Sequence, residues 1–127
     1  MTRDTFLETV KERAYLDDND AAKKATQATL EVLGKRLFGG EATDLAAQLP
    51  DGIKEYLIPA EATTSFGAEE FVSMAADREE VDKGTARLHA KAVLSVLSEA
   101  VSGGEMKDIK SQLPEDYAAL FKNPAPS

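Results

Sequence analysis

Apolar residues along this chain recur three and four positions apart, and no run alternates with period two for long enough to be a strand. Phe6, Leu7, Val10 and Ala14 set the first helical stripe. Just before it, Thr5-Phe6-Leu7-Glu8 reads as a capping box, in which hydroxyl and carboxylate satisfy the free amides of a helix start. Asp17-Asp18-Asn19-Asp20 follows as a connection with several candidate N-caps. A long helix is then predicted over about 20–38. Its apolar positions form two rows, Thr26, Leu30, Leu33 and Leu37 in one and Ala25, Ala28 and Val32 in the other. A stripe that wide belongs to a helix covered on two sides. Gly39-Gly40 is expected to end it, because glycine takes a left-handed cap without a Cβ penalty. Glu41 to Gln48 forms a short helix that stops where Leu49 precedes Pro50, and Pro50 opens a further turn through Tyr56 and Leu57.

The second half repeats this plan. A helix is predicted over about 68–77, carrying Phe71, Val72, Met74 and Ala75. Asp82, the counterpart of Asp18, caps a helix that runs to about 102, where Gly103-Gly104 stops it. A short helix spans 105–112, and Pro114 opens a terminal helix with Tyr117, Leu120 and Phe121. At an offset of 64, eleven of the twenty-three positions in 28–50 are identical to those in 92–114. They include Gly39/Gly103, Gly40/Gly104, Glu41/Glu105, Asp44/Asp108, Gln48/Gln112, Leu49/Leu113 and Pro50/Pro114. The match extends outward with a one-residue slip, Phe6 and Val10 answering Phe71 and Ala75. The chain is therefore a duplicated helical unit.

A three- or four-helix unit of about sixty residues is marginal alone, so the two broad apolar helices are expected to bury each other. The expectation is an all-α, compact helical bundle built from two homologous three- to four-helix units with pseudo-twofold symmetry, forming a single domain over residues 1–127. The units cover about 3–57 and 66–121, with a linker over 58–67 and a flexible tail over 122–127. Open solenoid stacking needs more than two repeats.

The twice-used pattern, a helix of Ala-x-Leu-x-Val-Leu type, then Gly-Gly-Glu-x-x-Asp-Leu/Ile, then Gln-Leu-Pro, resembles the family called domain of unknown function 2267. The likeness runs from about Phe6 to Phe121. It implies a small helical protein and brings no catalytic residues or substrate with it.

Charge narrows the functional classes. Fifteen basic and twenty-three acidic side chains give a net charge of −8 over 127 residues, and each half carries −4. That balance argues against nucleic acid, whose phosphates are held by surplus Lys and Arg, and against an anionic membrane surface. A helix-turn-helix is conceivable around Glu41–Leu57, but no recognition helix rich in Arg or Lys exists. No stretch approaches twenty apolar residues, and the charged start Met1-Thr2-Arg3-Asp4 does not read as a signal peptide. With no cysteine there are no disulfides or thiolate sites, which fits a reducing cytoplasm, the expected location.

Candidate chemistry is sparse. Read as an EF-hand loop from Asp18, the chain places Ala22, Lys23 and Thr29 where a ligand, glycine and glutamate are required, so the Asp17–Asp20 run is assigned to helix capping. His89, standing where the first unit has Ala25, lies six and nine residues from Ser95 and Ser98, off the adjoining helical turn. It is expected to be a partly buried, hydrogen-bonded histidine. Gly39-Gly40-Glu41 and Gly103-Gly104-Glu105 lack the spacing and the Lys of a phosphate loop, and a glutamate at the helix start repels phosphate. In Gln48-Leu49-Pro50 and Gln112-Leu113-Pro114, leucine is expected in the core, proline at the bend and glutamine bonded across the turn.

Glu41 with Asp44, and Glu105 with Asp108, share a face of their short helices. If the two faces meet, four carboxylates could hold a hard divalent cation; if they stay apart, they are two acidic patches for basic partners. No catalytic residue, cofactor or metal ligand is assigned. The reading is a non-enzymatic interaction or regulatory module with a protein partner or a second copy of itself. Its rival is a small-ligand-binding or enzymatic domain with a pocket between the units near His89.

Overall fold

The computed structural model describes residues 1–59 and 65–122; the middle of the expected linker and the expected tail from 123 onward lie outside the described residues. Among the described residues the chain is all-helical, with no strand. Six α-helices follow in order: α1 (Arg3–Arg13), α2 (Asn19–Arg36), α3 (Glu41–Ala47), α4 (Ala68–Glu79), α5 (Lys83–Ala100) and α6 (Gly103–Ser111). A 3-10 helix (Lys54–Tyr56) follows α3, and a second (Glu115–Phe121) follows α6.

The caps explain where the helices begin. Thr2, not Thr5, caps α1: its hydroxyl accepts from the Thr5 amide, and the helix starts three residues earlier than the capping-box pattern suggests. Asp18 and Asp82 cap the two long helices, accepting from the amides of Ala21 and Thr85 at 2.8 Å. The first helix of each half closes in the same way. Tyr15 and Glu80 take left-handed conformations, and the amides of Leu16 and Val81 reach back five residues to the carbonyls of Lys11 and Ala76. These residues correspond at an offset of 65, whereas the caps Asp18 and Asp82 correspond at 64. The slip in the repeat is thus one residue deleted from the second connection.

The glycine pairs do not end the long helices as expected. α2 stops at Leu37 and α5 at Val101, both in extended conformation. Gly39 and Gly40, at φ of +66° and +84°, instead form the turn that enters α3. Gly103 and Gly104 lie within the first turn of α6, which Ser102 caps through the Glu105 amide. The difference is chemical. Ser102 brings a hydroxyl that caps the helix directly, while Phe38 has none and the first unit needs left-handed glycine.

One cluster of buried side chains draws on all six α-helices and the second 3-10 helix, with half-buried Tyr56 of the first packed against it. α2 and α5 lie against each other at its centre, and α1 and α4 each pack on both of them. α2 buries Ala22, Ala25, Thr26, Ala28, Leu30, Val32 and Leu33, so both predicted rows face protein. α3 meets α6 at one side, and the second 3-10 helix covers α5 and α4 with Tyr117 and Leu120. Tyr117 sets its ring edge-on to Phe71 with centroids 5.7 Å apart and donates to the Phe66 carbonyl at 2.8 Å. The Arg36 guanidinium lies over the rings of Phe66 and Tyr117 and donates to the same carbonyl.

Candidate functional site at the junction of α3 and α6

Both short helices present their acidic residues in or just after the first turn, where a carboxylate is favoured by the helix dipole. Gly40 opens α3 so that Glu41 is its first residue; Ser102 opens α6 so that Glu105 falls in its first turn. Buried anchors fix both, Ala42 and Leu45 in α3, Met106 and Ile109 in α6.

Two glutamines hold the junction. Gln48 Oε1 accepts from the amide of Ser102, the residue that caps α6. Gln112 bonds Phe38 twice, Oε1 accepting from its amide at 3.0 Å and Nε2 donating to its carbonyl at 2.9 Å. Phe38 and Ser102 correspond at an offset of 64, as do the glutamines. Each glutamine thus satisfies backbone groups of the opposite half, not its own turn as the sequence reading had it. Leu49 is buried while Leu113 is only partly so, and the carbonyls of Pro50 and Pro114 accept from Ile53 and Tyr117 to close the bends.

The junction brings three of the four motif carboxylates together. One oxygen each from Glu41, Glu105 and Asp108 lie within 4.8 Å of one another. Asp44 is exposed and stands outside this group. Glu105 is 9% exposed, Glu41 is half-buried and Asp108 faces solvent. The Oε2 atoms of Glu41 and Glu105 are buried and have no hydrogen-bond partner as carboxylates. Burial pushes the Glu105 carboxyl up to about 7, helped by a hydrogen bond to Glu41 and by the charges of Glu41, Asp44 and Asp108. With a proton on Glu105, the pair becomes an acid–carboxylate hydrogen bond, which gives the buried oxygens the donor they otherwise lack.

His89 sits elsewhere, inside the core and more buried than the sequence suggested, at 6% exposure. Its Nδ1 donates to Oε2 of Glu79, at the end of α4 and equally buried. The pairing is invisible in the repeat, because Ala14 and Ala25 occupy the matching positions of the first half. Ser95 and Ser98 donate to the helical carbonyls of Ala92 and Leu94. A groove of about 300 Å³ runs beside the second 3-10 helix, over Leu113, Pro114, Tyr117 and Phe121; His89 does not line it.

The chain belongs to the family described as uncharacterized conserved protein (DUF2267), whose model matches residues 3–120. A search among curated proteins finds no match. No helix among the described residues is long and apolar enough to cross a membrane.

Proposed function

We propose that the chain is a non-enzymatic interaction or regulatory module of the cytoplasm. It forms one domain in which units 3–57 and 66–121, joined through 58–67, are related by a pseudo-twofold axis passing between α3 and α6. The exchanged glutamine contacts support that symmetry. So does a second exchange: Arg13 donates to Ser95, and Arg78, its counterpart at the slipped offset of 65, donates to Glu31, the counterpart of Ser95 at 64.

The observation that carries the functional reading is the closed His89–Glu79 pair. The histidine on which an enzymatic or ligand-binding rival depends spends its Nδ1 on a buried carboxylate, with neither candidate serine free beside it. The broad apolar faces of α2 and α5 are consumed inside the chain, which leaves Tyr15, Phe38 and Ile58 as exposed large apolar side chains in connections between helices. These connections, set in an acidic coat, suit contact with a protein partner or a second copy of the chain, not with nucleic acid or a membrane surface. Native mass spectrometry of protein purified gently from its own host tests this. A complex with a second copy or another protein is expected; a bare monomer, or a monomer retaining a small molecule, overturns it.

A further inference from the structure

Hard oxygen donors, close spacing and an unmet electrostatic need coincide where α3 meets α6. Glu41, Glu105 and Asp108 each offer an oxygen within 4.8 Å of the others. Glu105 is nine-tenths buried, and its Oε2, like that of Glu41, has no hydrogen-bond donor while both side chains are ionised. None of the ion pairs among the described residues includes any of the three. Three carboxylates converge from two helices, and among the described residues no Lys or Arg lies within 4.0 Å to pair with them. Packing alone does not require that arrangement, since like charges at such range repel.

We propose that Glu41, Glu105 and Asp108 form a divalent-cation site, suited to Ca²⁺, that ties α3 to α6. Ca²⁺ binds oxygen at about 2.3–2.6 Å, so two ligands of one ion can stand up to about 5 Å apart, a span that covers the whole cluster. Mg²⁺, at about 2.0–2.1 Å, demands stricter octahedral geometry. Carboxylates and water are ligands of the hard class, which sets aside softer metals. Asp108 opens the site to solvent, so water completes the coordination shell, and exposed Asp44 adds negative charge nearby without joining the ligands. The site stands apart from the interaction reading, because it needs only this chain.

The test uses the full chain stripped of metal with chelator and then titrated with CaCl₂, followed by melting temperature and calorimetry, with MgCl₂ in parallel. The expected result is a saturable rise in melting temperature with Ca²⁺ and a weaker one with Mg²⁺. E105Q keeps the shape of the side chain and should raise the Kd for Ca²⁺ at least about tenfold. D108N, on the exposed side of α6, should do the same without touching the core. MnCl₂ locates the ion: its paramagnetic broadening of amide signals should centre on residues 41–45 and 103–109. No heat and no shift with millimolar Ca²⁺ would overturn the proposal. So would unchanged affinity in both variants, or broadening spread evenly over the acidic surface.

Discussion

Glu105→Gln is the substitution on which the arrangement of the α3–α6 junction can be judged. In the metal-free chain, folding lifts the Glu105 carboxyl from an ordinary 4.5 to about 7, so between those pH values the folded chain holds a proton that the unfolded chain has released. The stabilisation is complete below pH 4.5 and is lost as pH rises through 7. At about 1.4 kcal/mol per unit, the full shift corresponds to roughly 3 kcal/mol. Solvent reaching the cluster from the Asp108 side screens part of this, and about 1–2 kcal/mol is the working figure. Glutamine imitates the protonated acid at every pH: neutral, of the same shape, and able to donate to Glu41. E105Q should therefore match the wild type near pH 4.5 and be more stable by about 1–2 kcal/mol at pH 8. For a chain of this size, that is a rise in melting temperature of roughly 3–8 °C. The assay is a pair of thermal melts by circular dichroism from pH 4.5 to 8.5 in chelator, read as the difference between variant and wild type. A difference independent of pH, or a variant less stable at pH 8, would refute the reasoning.

Five other substitutions probe the frame that creates the junction. Glu79→Ala leaves the His89 ring buried without its acceptor and should cost about 2–4 kcal/mol in urea unfolding; a double-mutant cycle with His89→Ala should recover at least about 1 kcal/mol as coupling. Gly34→Ala places a Cβ 2.8 Å from the Ile58 carbonyl oxygen, so the helix-propensity gain of about 1 kcal/mol should be outweighed and the protein destabilised; a more stable variant would mean that this close approach does not exist. Gln112→Ala removes two bonds to Phe38 and Gln48→Ala one to Ser102, so the first should lower stability by about 1–2 kcal/mol and the second by about half as much, as read from denaturant midpoints.

The 3.6-residue stripes, the Asp caps at 18 and 82 and, for the short helices, the stops before Pro50 and Pro114 placed the α-helices, because all are local signals. The breadth of the stripe on α2 also disclosed that it lies between neighbours. What sequence could not disclose were choices made by long-range partners. Gly39-Gly40 looked like a helix stop because glycine does end helices; here Leu37 leaves the helix first, and Gln112 claims the backbone groups of Phe38 that follow it. Gln48 and Gln112 looked like turn residues, and only the folded arrangement shows that each serves the opposite half. The His89–Glu79 pair crosses from α5 to α4 and has no echo in the first unit, so the repeat gave no hint of it. The acidic cluster was half-legible. The spacing of Glu41 with Asp44 and Glu105 with Asp108 put each pair on one helix face, but their meeting depends on how α3 lies against α6. That meeting spares Asp44, because α3 turns its first residue inward and the next acidic turn outward.

The convergence of Glu41, Glu105 and Asp108 underlies both the acid–carboxylate pair and the cation site, and one titration addresses it directly. The Glu105 side-chain carboxyl carbon, followed by ¹³C NMR in chelator from pH 3 to 9, should titrate with a midpoint near 7. A midpoint near the ordinary 4.5 would contradict a Glu105 carboxyl buried against Glu41 where α3 joins α6.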